Sequence, residues 1–275
     1  MDVEAVGAIV LAGAAAGTIN AVVGSGTLIT FPTLLALGYP PVTANVSNNI
    51  GLVFGAVSGA WGYREHLSGQ RSRLRRLAPL SASGSVIGAV LLLRLPGSAF
   101  ATIVPVLIVL ALVLVLLQPR ISRAAAERRQ GRDADPLPAA PPGSTAVARR
   151  ALGQGLAARV ALAGGTLLAG VYGGYFGAAQ GVLLVGLLGS LLPENLQRVN
   201  AAKNVLSLVV NATAAVAFLV VRPSAVDWTV VGLLAAGSVV GGVLGARIGR
   251  WLPARVLRGV IVVVGGIAIV KILAG

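Results

Sequence analysis

Cysteine is absent from this sequence, and histidine occurs once, as His66. Without cysteine, a disulfide framework, a thiolate metal site and a cysteine nucleophile are all excluded. One histidine and eight acidic residues, most of them in loops, make a multi-ligand metal site or a hydrolytic triad hard to build. We therefore expect neither an enzyme nor a protein that holds a metal or another cofactor.

Charged residues are also scarce, at 11% of the 275 residues against about 25% in an ordinary soluble domain. By contrast, 56% of the residues are hydrophobic, and the mean hydropathy is +0.88. The charges cluster, and long apolar runs lie between the clusters, which is typical of membrane proteins. The sequence predicts an all-α fold, a polytopic bundle of transmembrane helices that has the lipid bilayer as its main partner.

Most of the charges are positive, and the formal net charge is +14 at pH 7. In a soluble protein this charge would suggest nucleic acid binding. Here the arginines lie in short loops between apolar segments, as the positive-inside rule produces on the cytoplasmic side of a membrane. We therefore expect a multi-pass protein of the plasma membrane and no nucleic acid partner.

Ten apolar segments follow one another along the chain, and a spanning helix needs about 20 apolar residues. Their approximate bounds are 4–23, 26–40, 43–62, 77–95, 99–118, 157–175, 178–192, 197–221, 228–248 and 256–274. Most are long enough to span, whereas the second and the seventh are short. Residues 119–156 are rich in Arg, Ala and Pro and are predicted to form a flexible linker in the cytoplasm. Residues 1–118 and 157–275 are then two transmembrane repeats.

The two sets of five segments resemble each other at four places that occur in the same order. The pairs are Gly17–Gly24 with Gly170–Gly177, Asn45–Ile50 with Asn200–Val205, Gly84–Gly88 with Gly237–Gly241, and Leu95-Pro96 with Leu252-Pro253. Internal repeats of this kind are typical of secondary transporters. We interpret the chain as a duplicated unit.

Loop charge indicates that the repeats are inverted. The loop after the third segment is basic over Arg64–Arg76, whereas its counterpart contains Arg222 alone; in the following loop the bias reverses, from Arg94 to the basic Arg247–Arg258 stretch. If all basic loops are cytoplasmic, each half crosses the membrane five times, the short segments included. Re-entrant short segments would instead place the Arg247–Arg258 loop outside.

The first candidate binding region is the glycine-containing turn between the first two segments. It contributes Asn20, Gly24, Ser25, Gly26 and Thr27, and its counterpart in the second half contributes Gln180. Glycine lets the backbone approach a ligand closely, and the free N–H groups of a helix N-terminus favour anions. The alternative is that these glycines only permit tight packing of helices.

The second candidate region is the polar start of the third and eighth segments. It comprises Asn45, Ser47, Asn48 and Asn49 in the first half, and Asn200, Lys203 and Asn204 in the second. Buried amides are costly in hydrocarbon unless they have partners, and an ionisable residue inside a membrane segment is a functional candidate. The alternative for Lys203 is that its long side chain reaches the membrane surface.

Together the two regions predict a cavity halfway through the membrane with amides, hydroxyls and one lysine around it. Its only formal charge would be positive, so we expect a small anion as the substrate. None of the eight acidic residues lies deep in a segment, so a coupling site for protons or sodium is not visible.

The residues of these regions resemble the TauE/SafE family of sulfite and organosulfonate exporters. The resemblance is carried by Gly24–Pro32, Leu34–Pro41, Ala44–Asn48 and Val226-Asp227-Trp228. It implies a plasma-membrane permease for sulfite, organosulfonates or related sulfur or carboxylate anions, built as two halves. Ala201-Ala202-Lys203 stands where hydroxyl residues are commoner in the family, so the substrate can differ.

We interpret the chain as a secondary carrier that works by alternating access. Two other functions stay open at this point, an anion channel with the same cavity and a membrane assembly subunit whose polar residues only join helices. A homo-oligomer is compatible with the sequence.

Overall fold

A computed structural model describes residues 1–134, 145–192, 194–248, 259–264 and 266–267. All regular structure in these residues is helical, which confirms the all-α class. The nine long helices of the described ranges are α1 (Val3–Val22), α2 (Thr27–Ala36), α3 (Pro41–Gly62), α4 (Arg71–Arg94), α5 (Gly97–Ala134), α6 (Thr145–Tyr175), α7 (Gln180–Leu191), α8 (Leu196–Val221) and α9 (Trp228–Ile248). Short 3₁₀ helices cover Arg64–Leu67 and Pro223–Ala225. Of the predicted tenth segment, residues 259–264 and 266–267 are helical, and the rest lies outside the described residues.

Six helices in the described part of the chain are long and apolar enough to cross a membrane, namely α1, α4, α8 and parts of α5, α6 and α9. Helix α3 has 22 residues, but its polar N-terminal half lowers its hydropathy. The chain is a multi-pass membrane protein.

Helices α2 and α7 are too short to cross as helices. They have 10 and 12 residues, or about 15 and 18 Å, against about 30 Å of hydrocarbon. The helices alone are therefore shorter than the hydrocarbon layer, and a full crossing by the two segments stays a prediction. Helix α2 runs back along α1, since Gly26 lies against Ala16 and the Tyr39 hydroxyl contacts Met1 Sδ at 3.2 Å. Because α2 runs back along α1, α3 begins at the end of the bundle where α1 begins, as it would after a full crossing by the second segment.

The helices extend into the stretch predicted as a linker. Helix α5 continues to Ala134 and α6 begins at Thr145, whereas residues 135–144 lie outside the described residues. Alanine and arginine make up nine of residues 119–134, and both favour helix. The cluster of prolines begins only at Pro136.

Helices α1, α3 and α9 form one body, called the first bundle, in which all three run in the same direction. Along α9, the contacts with α1 advance from Gly13 against Leu234 to Thr18 against Gly245. The contacts of α9 with α3 advance in the same direction along both helices, beginning with Leu234 against Gly51. Small residues let these backbones approach closely, as is usual between membrane helices.

Helices α4, α6 and α8 form the second bundle, also with one common direction. Gly84 packs on α6 near Val171, and one turn later Gly88 packs near Tyr175. Towards α8, Arg73 contacts Glu194, and Ser85 Oγ donates to the Val210 carbonyl at 2.7 Å. Each bundle therefore contains helices from both halves of the sequence.

The two bundles run in opposite directions. Gly59, near the end of α3, lies beside Asn204 in the first part of α8. Conversely, the N–H of Asp227, which follows α8, donates to Ser47 Oγ near the start of α3 at 2.9 Å.

By their packing contacts, the glycines of α4 and α9 correspond with a shift of one helical turn from the predicted sequence alignment. A Cβ on Gly84 would lie 2.9 Å from Val171 N, and a Cβ on Gly241 would lie 2.9 Å from Thr18 N. Gly84 is thus equivalent to Gly241, whereas the sequence pairs it with Gly237. A pattern of glycine at every fourth residue aligns equally well after a slip of one turn, so sequence could not fix the register.

The Arg64–Arg76 loop and Arg247 lie at one end of the bundle, which we call the arginine end. It includes the C-terminal ends of α3 and α9, where Gly62 and Ala246 are in direct contact, and the N-terminal end of α4 at Arg71. Re-entrant short segments that separate the Arg64–Arg76 loop from Arg247 are incompatible with this contact.

Candidate functional site

The turns before the two short helices meet in the interior of the protein. The Gly181 N–H donates to the Gly24 carbonyl at 3.1 Å, and the two backbones touch. Gly24 and Gly177 occupy matching positions of the two turns, with φ of 87° and 79°. Only glycine adopts this left-handed conformation without strain. The glycine pattern of both turns thus has a structural cause.

A small cavity of about 30 Å³ lies beside this contact. Five of the predicted site residues line it, namely Asn20, Gly24, Thr27, Gln180 and Asn204. The other lining residues are Ala21, Gly55, Ala56, Gly59, Gly177, Gly181, Ser207 and Asn211. The lining therefore combines helices of both bundles with the starts of α2 and α7.

Asn20 and Asn48 hold the start of α2 in place. Asn20 Oδ1 accepts from the Gly26 N–H at 2.6 Å, and Asn48 Oδ1 accepts from the Thr30 hydroxyl. The Asn48 amide in turn donates to Thr27 Oγ1 at 3.3 Å. Asn48 therefore positions a lining residue and does not itself line the cavity.

Lys203 lies directly behind the lining. Its side chain is completely buried, and Nζ donates to the carbonyls of Asn20 at 2.8 Å and Ala21 at 3.1 Å. Asn204 Nδ2 donates to the Ala21 carbonyl as well, at 3.2 Å. These carbonyls end α1, where the helix dipole favours a cation. No acidic side chain among the described residues pairs with this ammonium group.

The remaining predicted residues lie away from the cavity wall, and all of them are buried except Asn49, which is half-buried. Asn45 Nδ2 donates to the Tyr175 carbonyl at the end of α6 at 3.0 Å, and Ser47 Oγ accepts from Asp227. Gly26 forms the start of α2, while Asn200 and Asn49 lie on α8 and α3. Snorkelling of Lys203 to the surface is not what the structure shows.

Several polar atoms near the cavity have no hydrogen-bond partner within the described residues. They are the Ser25 hydroxyl, Gln180 Nε2 and the Ser207 hydroxyl. Ser25 is fully buried and Gln180 is 3% exposed. Buried polar groups normally have partners, so these three are free to bind water or a polar solute.

Sequence reasoning missed Ser207 and Asn211, although a signal existed. They follow Asn204 by three and seven residues, which places all three on one face of α8. Their polarity is isolated within an otherwise apolar segment, and this isolation is the signal that could have identified them.

Residues 9–272 match the family described as "Sulfite exporter TauE/SafE". The chain belongs to the TauE/SafE family. The match includes every helix that lines the cavity, so the predicted resemblance is confirmed over nearly the whole chain.

Individual relatives of this TauE/SafE chain are named as transporters. It is 24% identical to "Probable membrane transporter protein YfcA" of Escherichia coli K12 over 94% of this chain and 86% of that one. A "Probable membrane transporter protein" of Haemophilus influenzae is 24% identical over 91% and 88% of the two chains. "Probable membrane transporter protein ORF9" of a Sinorhizobium species is 30% identical over 38% of this chain and 41% of that one. No solved structure matches the chain. The family and the relatives indicate a membrane transporter, and their names point away from an enzyme.

Proposed function

We propose that this TauE/SafE protein is a secondary carrier for a small anion such as sulfite, an organosulfonate or a related sulfur or carboxylate anion. The observation that carries the proposal is the polar cavity between the starts of α2 and α7, with the Lys203 ammonium group behind its wall. The plasma membrane is the proposed location, with the arginine end and the linker in the cytoplasm.

The charges around the cavity favour an anion. Lys203 is a fully buried basic residue, whereas α2, α3, α4, α6, α7, α8 and α9 contain no Asp or Glu, and α1 contains only Glu4, in its first turn. The unpartnered donors of Ser25, Gln180 and Ser207 add hydrogen bonds that an oxyanion can accept. A cation would meet no compensating negative charge on these helices.

The inverted repeat supplies a mechanism of alternating access. Opposite directions of the two bundles, and the equivalent glycine contacts within each, support two halves related by inversion. Because each bundle mixes helices from both halves, we propose that the bundles, not the sequence halves, are the bodies that move. The short helices α2 and α7 lie where the bundles meet.

Two similar hydrogen bonds join the bundles on either side of the cavity. Asn45 of α3 donates to the Tyr175 carbonyl that ends α6, and Asn204 of α8 donates to the Ala21 carbonyl near the end of α1. We call these the Asn45 latch and the Asn204 latch. The Asn204 latch lies towards the arginine end, and the Asn45 latch lies towards the other end.

The size of the cavity agrees with a carrier rather than an open channel. A partly enclosed space of about 30 Å³ favours a site that opens when the bundles separate.

The test is flux in proteoliposomes with labelled sulfite, sulfate, sulfonates and carboxylates. We expect saturable flux of at least one anion and acceleration by unlabelled anion on the opposite side. The Gln180→Leu variant should lose flux because it replaces a lining donor. The Ser190→Ala variant of the same helix should keep it, since the Ser190 hydroxyl bonds only within α7 to the Gly186 carbonyl. Linear, voltage-driven current would instead identify a channel, and no flux of any anion from folded protein would reject the proposal.

A further inference from the structure

An open groove lies on the outer surface of the arginine end, away from the cavity. It has a volume of about 600 Å³ and is lined by Leu67, Ser68, Gly69, Arg71, Leu74, Arg75 and Ala78. It is formed where the 3₁₀ helix Arg64–Leu67 turns into α4, a candidate membrane span. The groove therefore lies at the level where this helix enters the membrane.

The arginines of this turn divide into paired and unpaired residues. Arg73 binds Glu194 and Gln70, and Arg76 donates to Ser72 Oγ. Arg71 and Arg75 are exposed and have no partner among the described residues. They are four residues apart and share one face of α4. The two arginines without a partner are the two that line the groove.

Below the arginines, the same face of α4 becomes apolar. Ala78 follows Arg75 by three residues, and Ala82 and the exposed Val86 continue the stripe at helical spacing. Leu67 and Leu74 supply the apolar walls beside the arginines. A ligand for this groove needs an anionic head about the size of a phosphate and a long apolar tail.

We propose that the groove binds one anionic phospholipid from the bilayer. The phosphate lies between the Arg71 and Arg75 guanidinium groups, which bind phosphate in a bidentate manner. An acyl chain follows Ala78, Ala82 and Val86 along α4. Basic pockets of this type at the cytoplasmic surface bind anionic headgroups. The site is distinct from the solute cavity, so it does not depend on the identity of the transported anion.

Binding at this groove would stabilise the contact between the turn before α4 and the start of α8. Gln70, next to Arg71, donates to the carbonyls of His66 and Arg198 at 2.9 and 3.0 Å. Arg198 Nη2 in turn donates to the Ser68 carbonyl at 2.9 Å, and Ser68 lines the groove. A bound lipid therefore restricts the turn before α4 that these bonds join to α8.

The experiment measures retained lipid by native mass spectrometry on purified full-length protein, and the thermal midpoint with added phosphatidylglycerol or phosphatidylcholine. We expect the wild type to retain phosphatidylglycerol and to gain stability from it alone. R71Q/R75Q should bind it at least tenfold more weakly, and R76Q, which removes the same kind of charge outside the groove, should bind as the wild type. A78W, which fills the groove and keeps both arginines, should also lose the lipid.

Three results would overturn the proposal. The first is unchanged phosphatidylglycerol binding by R71Q/R75Q or by A78W. The second is an equal loss in R76Q, which would mean attraction to overall charge. The third is equal stabilisation by inorganic phosphate or glycerol phosphate, which would mean a site for the free anion. A78W also serves as the test if R71Q/R75Q does not fold.

Discussion

At the scale of single residues, Lys203 combines two tasks that are difficult to separate by sequence. It caps the end of α1 through the Asn20 and Ala21 carbonyls, and it supplies positive charge behind the cavity. A methionine has a similar length but neither the charge nor the donors.

We expect Lys203→Met to weaken both the fold and anion binding. Loss of the two hydrogen bonds, made by a charged donor, should lower stability by about 1–3 kcal/mol and raise the KM for the anion about tenfold. Thermal unfolding in detergent and flux against substrate concentration measure the two effects. A folded Lys203→Met protein with wild-type KM would show that the charge has no part in binding.

The contact of Gly24 with Gly181 allows backbone strain to be separated from steric overlap. Gly24 and Gly38 have nearly the same φ, 87° and 86°, but a Cβ on Gly38 would meet nothing within 4 Å, whereas a Cβ on Gly24 would overlap Gly181. We expect Gly38→Ala to cost about 1 kcal/mol and to keep transport. Gly24→Ala should cost more and abolish flux. Equal effects in unfolding and flux assays would argue against a functional role for the contact.

At the scale of helices and loops, we expect the interface between α4 and the α7–α8 loop to depend on pH through Glu194. Glu194 receives hydrogen bonds from Arg198 and from Arg73, at 2.9 Å for the latter. The hydrogen bond from Arg198, and after it that from Arg73, lowers the pKa of Glu194 below its ordinary value.

A lowered pKa stabilises the fold above the ordinary pKa of a glutamate, about 4.3, and this stabilisation is lost as the pH falls through the lower folded value. We therefore expect the wild type to lose stability below about pH 4. The Glu194→Gln variant should be less stable at neutral pH, and its stability should change less with pH over that acidic range. Thermal midpoints between pH 3 and 7 check this. Parallel curves for the two proteins would mean that Glu194 contributes no pH dependence.

The two latches should control opposite openings of the cavity. Because the chain has no cysteine, Ser207→Cys in the cavity is a unique label site. Asn204→Ala should speed its reaction with an impermeant thiol reagent applied at the arginine end, and Asn45→Ala should speed it from the other end. Acceleration from the same side by both variants would contradict the two-bundle mechanism.

Helix positions were largely predictable because apolar length is visible in sequence, as in the segment 228–248 that became α9. Where helix propensity and polarity disagree, prediction failed: α4 begins at Arg71 and not near residue 77, because arginine is a good helix former even outside the membrane. The cavity was predicted in part, since its turns carry glycine and amides. The sequence could not show that Lys203 lies behind the cavity wall whereas Ser207 and Asn211 line the cavity. That difference depends on how α1 and α8 pack.

At the scale of the whole molecule, the contact of Gly62 with Ala246 fixes which loops share a side. Single cysteines at Ser68 and Arg247 should react with an impermeant reagent only from the cytoplasm, and one at Ser224 only from outside. Ser68, Ser224 and Arg247 are all exposed, so access is not limited by burial. Labelling of Ser68 and Arg247 from opposite sides would refute the arrangement.

The mixed composition of the bundles also has a consequence for biosynthesis. Helices α1 and α3 leave the ribosome early, yet the surface that packs against them belongs to α9, which begins only at Trp228. The glycine-lined faces of α1 and α3 must therefore contact lipid or the insertion machinery while most of the chain is still being translated. By contrast, α4 meets α6 and α8 as each emerges, so the second bundle can assemble before the first.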